Sequence, residues 1–552
     1  MAVINGTTGA NRLNGTTGRD TIQGFEGRDT LNGGRGSDHL HGGPGADVLI
    51  WDQDALSRGS VDTYIGGSAG ENYDSNIYGD LAGGDRLHLN GAGGFRVTFN
   101  SSENGFALDA WGNRLNFSGI ERLQTGAGND SIDGSRAGLN AERGSGASYM
   151  PVHGLTVNSG AGNDTIRGTN GSDVIDPGTG NDRVFGGGGN DLLMPSQGND
   201  YGHAGAGDDN VRWGNNGSMG PIYNIGHDTL VGGAGHDLLN LWAKGNGENS
   251  VGVNVVFTSA STGRASYPQA NGTVVFSEFE QFWTHEGRDT VTAANATIGA
   301  NRQGIMINTR WGDDRITGSA GNDTIEGGDG ADTINGGRGN DFISMYEDIT
   351  AANGAGVPRD SARDVLMLQD GFGSDTIRAF QVGGANGDVL NVSALHDAAG
   401  NRIDVGDVRV SSQGSSAVLS FPNGERLVLE GVNAGTLTRA MLVKLGIPAA
   451  GSAQASETAS AATLSAEDGA QAKTATVASS LTATATEAAG DHLAVDHFAW
   501  RFAPAATAVE EHAAGAAADL SALVESYRGL AHADSSDHAG VQHLLAQLFD
   551  WA

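Results

Sequence analysis

The chain of 552 residues has no cysteine, which excludes disulfides and thiolate metal sites and removes the usual stabiliser of small extracellular domains. Proline is scarce, at 10 residues, and glycine does not recur at every third position, so a collagen-like triple helix is excluded. Positive charge is also short: 32 Lys and Arg stand against 65 Asp and Glu, a formal charge of −33. That balance argues against nucleic acid and anionic membranes as partners and in favour of cations. No apolar run approaches the roughly 18 residues of a membrane span, so no transmembrane segment is expected. The opening MAVINGTTGANRLNG has neither the basic end nor the apolar core of a cleaved leader. Export is therefore expected to rely on another signal.

Glycine is the residue in excess, at 90 positions. So flexible a backbone raises the entropy cost of ordering and supplies few side chains to bury, and some further interaction must offset that cost. The aspartates show where it arises. Each Asp that closes a glycine-rich turn is followed by another nine residues on. The first block holds Asp20, Asp29, Asp38 and Asp47, and the second holds Asp164, Asp173, Asp182, Asp191, Asp200 and Asp209. Shorter or later blocks give Asp228 with Asp237, then Asp314, Asp323, Asp332 and Asp341. Two positions after nearly every one stands an apolar residue, as at Ile22, Leu31, Leu40, Ile175, Val184, Ile325 and Ile334; Gly202 is the exception.

Nine residues divide into a six-residue turn, where glycine permits positive φ, and a three-residue strand whose middle side chain points inward. Two repeats make one coil with successive turns on opposite sides, so aspartates 18 apart stack and bracket a cation site. Eight such pairs lie within the blocks: Asp20 with Asp38, Asp29 with Asp47, Asp164 with Asp182, Asp173 with Asp191, Asp182 with Asp200, Asp191 with Asp209, Asp314 with Asp332 and Asp323 with Asp341. Calcium is the preferred ion, because it accepts six to eight oxygens in flexible geometry, whereas magnesium demands a stricter octahedron and zinc prefers His or Cys. Nine residues lose roughly 9–18 kcal/mol of backbone entropy, while one buried Ile or Leu returns about 1.5–3 kcal/mol. Stacked carboxylates without metal also repel, so a disordered metal-free chain and a compact calcium-bound one are expected. A flexible acidic linker would have no reason to keep this register.

The segments GGRGSDHL, GGPGADVL, GGDGADTI and GGRGNDFI resemble the RTX nonapeptide Gly-Gly-x-Gly-x-Asp-x-apolar-x, a calcium-binding β-roll repeat. The resemblance implies an all-β fold of parallel β-roll (β-solenoid) blocks, several bound calcium ions at these aspartates, and folding driven by calcium outside the cell. It also implies export by a type I secretion apparatus through an uncleaved C-terminal signal, and a secreted, extracellular or bacterial cell-surface location. Asn11 in the Asp place of the first repeat and the missing inward side chain at Gly202 depart from the pattern and predict weaker coils.

Between the blocks, VTFNSSENGFALDAWGNRLNFSGIERLQTGAGNDSI and VVFTSASTGRASYPQANGTVVFSEFEQFWTHEGRDTV resemble each other, and downstream GLTVNSGAGND parallels GIMINTRWGDD. Their alternating apolar residues predict β-hairpin modules in a duplicated unit. Capping or spacing inserts are favoured for them over ligand-binding or self-association surfaces. The expected organisation is a roll block at 1–50, an irregular insert and hairpin module at 51–125, a second block at 126–240, the duplicated module at 241–309 and a third block at 310–345. A β-rich cap at 346–448, with Phe380, Leu390 and Val392 over the last apolar layer, would close the array. An Ala/Ser/Thr-rich disordered linker follows at 449–490. At 491–552 a short helical tail, with Val541, Leu544, Leu545 and Leu548 at helical spacing, reads as the export signal or as an oligomerisation helix.

No catalytic residue is assigned. His-Glu-x-x-His is absent, and GGSAG around Ser68 is a chance match in so glycine-rich a chain. His39, His41, His203, His227 and His236 read as exposed histidines in or beside the turns. The expectation is a noncatalytic, secreted calcium-binding protein with a structural or adhesive role, its partners an extracellular glycan or further copies of itself. An enzyme acting on extracellular polysaccharide, with a site in the hairpin modules, and a self-assembling surface-layer protein remain as alternatives.

Overall fold

The computed structural model describes residues 1–67, 84–139, 153–214, 224–242, 250–346 and 362–451. The expected linker beyond residue 451, the C-terminal tail and Ser68 lie outside the described residues.

A three-residue strand between two glycine turns cannot bury anything alone, so it persists only as one rung of a stack. Thr21–Gln23 pairs in parallel with His39–His41, Ile22 facing Leu40, and Thr30–Asn32 pairs with Val48–Asp52, Leu31 facing Leu49. Each repeat thus pairs with the repeat after next, and alternate repeats build two opposed, mainly parallel sheets of 20 and 18 strands among the described residues. Ile22, Leu40 and Tyr64 from the first sheet and Leu31, Leu49 and Leu87 from the second, each no more than 1% exposed, face one another across a single apolar file. His39–Leu40–His41, exposed, buried and exposed in turn, shows the alternation that this requires. The roll runs through the breaks between blocks. Residues expected to be irregular contribute Val61–Ile65, which pairs with His39–His41, and Tyr201 faces Thr229 across the interval between Asp200 and Asp228.

Both hairpin modules are three-stranded meanders built into the first sheet. Arg96–Ser101, Asn104–Leu108 and Arg114–Ser118 are antiparallel to their neighbours, and the outer two pair in parallel with Ser131–Asp133 and Val61–Ile65. Val251–Phe257, Gly263–Tyr267 and Gly272–Ser277 repeat the arrangement between Arg288–Thr292 and Gly226–Ala234. Three strands are the smallest antiparallel insert whose two edges run in the same direction, so the parallel ladder resumes on either side. The duplication extends to packing. Phe99 and Phe117 meet edge-on at 5.3 Å and 72°, Phe257 and Phe276 at 5.6 Å and 72°.

The second sheet ends in a third meander, Arg409–Gln413, Ser416–Ser420 and Arg426–Leu429, whose last strand pairs in parallel with Ser374–Arg378. Phe380, Leu390 and Val392 are buried at 1%, 1% and 3% exposure. A one-turn helix, Arg439–Lys444, capped by the Thr438 hydroxyl accepting from Met441 N, brings Leu442, Leu445 and Ile447 onto that end.

Candidate metal centre

All sixteen aspartates singled out by their spacing are 3% exposed or less. The cause is a ladder along each side of the roll, in which the backbone N–H of one turn's aspartate donates to Oδ1 of the aspartate one coil later. Asp20 N lies 2.8 Å from Asp38 Oδ1, Asp182 N 2.8 Å from Asp200 Oδ1, Asp191 N 2.7 Å from Asp209 Oδ1 and Asp314 N 2.9 Å from Asp332 Oδ1. The turns stack closely enough to need glycine. Gly34 and Gly36 have φ of +76° and +125°, and a Cβ on them would stand 2.4 Å from Thr16 O and 2.6 Å from Gly18 O.

One carboxylate oxygen is thereby used, and the other is the evidence for a cation. Oδ2 of Asp29, Asp38, Asp182, Asp191, Asp200, Asp209, Asp237 and Asp341 is buried with no hydrogen-bond partner. An ionised oxygen so placed is strongly penalised. Burial, and after it the charges of neighbouring aspartates, pushes the carboxyls up: Asp38 to about 7, Asp182 and Asp341 to about 8, Asp191 to about 9. A divalent cation would relieve both effects. Among the described residues no three acidic or imidazole side chains converge, so an ion must draw much of its shell from turn carbonyls. That donor set fits calcium, which takes carboxylate and carbonyl oxygens together, better than zinc.

Four of the sixteen carry a hydrogen bond on each carboxylate oxygen. Where the residue four before the aspartate is Thr or Ser, its N–H and hydroxyl can turn to the carboxylate. Thr16 N donates to Asp20 Oδ2 at 2.6 Å, Thr169 N to Asp173 Oδ2 at 2.7 Å and Ser319 N to Asp323 Oδ2 at 2.7 Å. Glycine at that place has positive φ, +115° at Gly187 and +129° at Gly205, and leaves Oδ2 of Asp191 and Asp209 unpartnered. Ser196, four before Asp200, is an exception, since its hydroxyl donates to Asp176 instead. Asp228 is satisfied in another way, its Oδ2 accepting from Trp213 Nε1 at 2.6 Å. The carboxylates of Asp20, Asp173, Asp228 and Asp323 therefore have hydrogen-bond partners for both oxygens, while burial still pushes Asp173 up to about 6 and Asp228 up to about 7.

The ladders also include acids that the nine-residue register missed, because inserts lengthen the intervening coil. Asp38 N donates to Asp62 Oδ1, Asp47 N to Asp85 Oδ1 and Asp85 N to Glu121 Oε2. Asp130 N donates to Asp164, Asp289 N to Asp314, Asp332 N to Asp364, Asp341 N to Asp375 and Asp364 N to Asp388. Asp237 N reaches Glu280. Asp200 N and Asp209 N reach Asp228 and Asp237 across 28 residues. An Asp two places before a buried apolar residue was the available signal. Asn11 keeps its place, its N–H donating to Asp29 Oδ1 and its own Oδ1 accepting from Thr7 N. His39, His41, His227 and His236 are exposed and His203 half-buried, and all but His236 lie on strands beside the turns.

The family model described as the RTX calcium-binding nonapeptide repeat (4 copies) matches residues 5–40, 24–50, 116–136, 158–193, 223–243 and 309–343. No curated protein matches. Among solved structures, the extracellular lipase LipA from Serratia marcescens is similar at 12% identity with a TM-score of 0.14, over 79% of this chain and 38% of that one. So loose a superposition, spanning well under two thirds of the lipase, says nothing about activity. The matched segments coincide with the aspartate ladders and glycine turns described above. This chain carries RTX calcium-binding nonapeptide repeats and binds several calcium ions through them.

Proposed function

We propose that this chain is exported and acts outside the producing cell as a structural or adhesive protein whose β-roll forms when calcium becomes available. The row of buried, unpartnered Oδ2 atoms carries the reading, because it makes the compact state depend on a cation. The clearest ion positions are the turns closed by Asp29, Asp38, Asp182, Asp191, Asp200, Asp209, Asp237 and Asp341, and the other repeat aspartates are assigned with them by their shared register. Export follows from the family's habit, with the C-terminal segment as the signal read by a type I apparatus. The two inserted meanders keep the ladder direction and lengthen the first sheet, which suits a spacing role.

The test is fractionation of a cell that carries a type I apparatus and expresses the full chain. The protein is expected in the medium or at the cell surface, with the surface-held part released by a calcium chelator. A chain retained wholly inside the cell, or a surface pool indifferent to chelation, would overturn the proposal.

A further inference from the structure

Strand alternation sends the side chains on either side of each inward residue to the outer face of the first sheet. That face gathers positive charge, in a chain with 65 acids against 32 Lys and Arg. Arg96, Arg167, Arg183 and Arg264 all stand on it and are exposed. Arg96 and Arg183 share one cross-strand row, with Ser131 and Thr165 between them. Past Tyr201, Thr229 and Val275 the same row reaches Arg264. At about 4.8 Å per strand, the three arginines fall roughly 14 and 19 Å apart along the roll. Among the described residues of the strands from Arg96–Ser101 to Gly263–Tyr267, Asp133 is the one acid on this face. It is half-buried, accepts from Ser135 and faces Arg167.

The middle of the row is braced by aromatic rings. The Arg167 guanidinium lies 4.8 Å from the Phe185 ring centroid and the Arg183 guanidinium 5.0 Å from that of Tyr201, with the two rings 5.7 Å apart. A guanidinium laid on a ring spends its flat face there and leaves its N–H edge free, which is the edge that grips a carboxylate in bidentate fashion. Among the described residues none of Arg96, Arg183 and Arg264 is paired with a carboxylate. Ser131, Thr165 and Thr229 put short hydroxyl side chains between them. The negative charge of the chain lies elsewhere, since the ladder acids are buried along the turns and each bound calcium offsets two of them. The formal charge of −33 therefore does not describe this face.

The geometry points to a binding track for an acidic polysaccharide on the outer face of the first sheet, running across the strands, with sugar carboxylates held by Arg96, Arg183 and Arg264 and sugar hydroxyls bonded by the Ser and Thr side chains between them. It names a partner for the adhesive reading above and rests on that reading only in this respect. A linear polyanion fits because the charges are spread along one row over seven inter-strand steps, with the sign opposite to that of the ligand.

The experiment uses the calcium-loaded full chain with hyaluronan, a carboxylated polysaccharide that calcium does not gel, and with neutral dextran, both read by affinity electrophoresis; phosphatidylglycerol vesicles, read by co-sedimentation, test a lipid surface instead. Hyaluronan is expected to bind, dextran and the vesicles not, and binding should weaken steeply with added salt. Arg183→Gln and Arg264→Gln should each weaken it about fivefold, and the two combined with Arg96→Gln should abolish it, with circular dichroism and calcium response unchanged. Arg183→Lys should retain part of the affinity. Arg409→Gln, which removes an exposed charge on the second sheet, should change nothing. Failure of hyaluronan to bind, equal retention by dextran, preference for the vesicles, or binding indifferent to the triple substitution in folded protein would overturn the assignment. None of these outcomes bears on calcium-dependent folding or export, which are read separately.

Discussion

Replacing Asp191 by Asn should have opposite effects in the two metal states. Asp191 Oδ1 accepts from Asp173 N at 2.8 Å, its Oδ2 is buried without a partner, and burial followed by the charges of Asp173 and Asp209 pushes its carboxyl to about 9. Asparagine keeps the oxygen that accepts the Asp173 amide and removes the charge. Without metal near pH 7.5, a carboxyl raised to about 9 takes up a proton in the compact chain, which costs up to about 5 kcal/mol relative to the ionised unfolded chain, so the substitution should favour the metal-free compact form by about 2–5 kcal/mol. With calcium the substitution removes an anionic ligand, and losing a site held at roughly 100 times its dissociation constant costs about 2.7 kcal/mol. The urea midpoint in calcium should therefore fall. In chelator, the pH at which the β signal disappears should rise. Glu26→Gln, at an exposed position, should move neither. A substitution that weakens the protein in both conditions would refute the electrostatic reasoning.

The same raised carboxyls set a pH dependence. A folded-state pKa of about 7 at Asp38 and about 9 at Asp191 means that the compact chain binds more protons than the unfolded one above the usual carboxylate range. In chelator, circular dichroism should thus show most β structure near pH 4 and progressive loss as pH rises toward those values. In Thr169→Gly the hydroxyl is gone and positive φ becomes accessible at the residue that now donates to Asp173 Oδ2, so native mass spectrometry at limiting calcium should count one more calcium ion. Gly202→Ala should stabilise the calcium-loaded chain by about 0.5–1 kcal/mol in urea unfolding. Its φ is not positive, and a Cβ there meets only the end of the Leu230 side chain, Cδ2 at 2.9 Å, which must shift slightly.

The roll was readable because its physics repeats. An apolar residue two places after Asp20, Asp29 or Asp38 reports the inward position, and glycine before it reports turns too close for a Cβ. What the register could not show was continuity across inserts, since the 24 residues from Asp38 to Asp62 and the 34 from Asp341 to Asp375 leave no fixed count to follow. The alternation in the two modules gave strands but not their order, in which the first strand of each meander pairs with the later coil. The self-satisfied turns were written in the sequence as Gly-Thr or Gly-Ser where the repeat has Gly-Gly, at Thr16, Thr169 and Ser319. Their meaning depends on a backbone torsion, which spacing does not reveal. The arginine row on the first sheet carries no local signature, because Arg96, Arg183 and Arg264 lie 87 and 81 residues apart.

The most direct measurement is far-ultraviolet circular dichroism and limited proteolysis of the purified full chain while calcium is removed by a chelator at neutral pH and then restored. The β signal should collapse, the residues matched by the repeat should become cleavable, and both changes should reverse on adding calcium but not magnesium. A chain that keeps its β signal and protease resistance in the chelator would show that the buried carboxylates are tolerated without a cation, contrary to what their geometry requires.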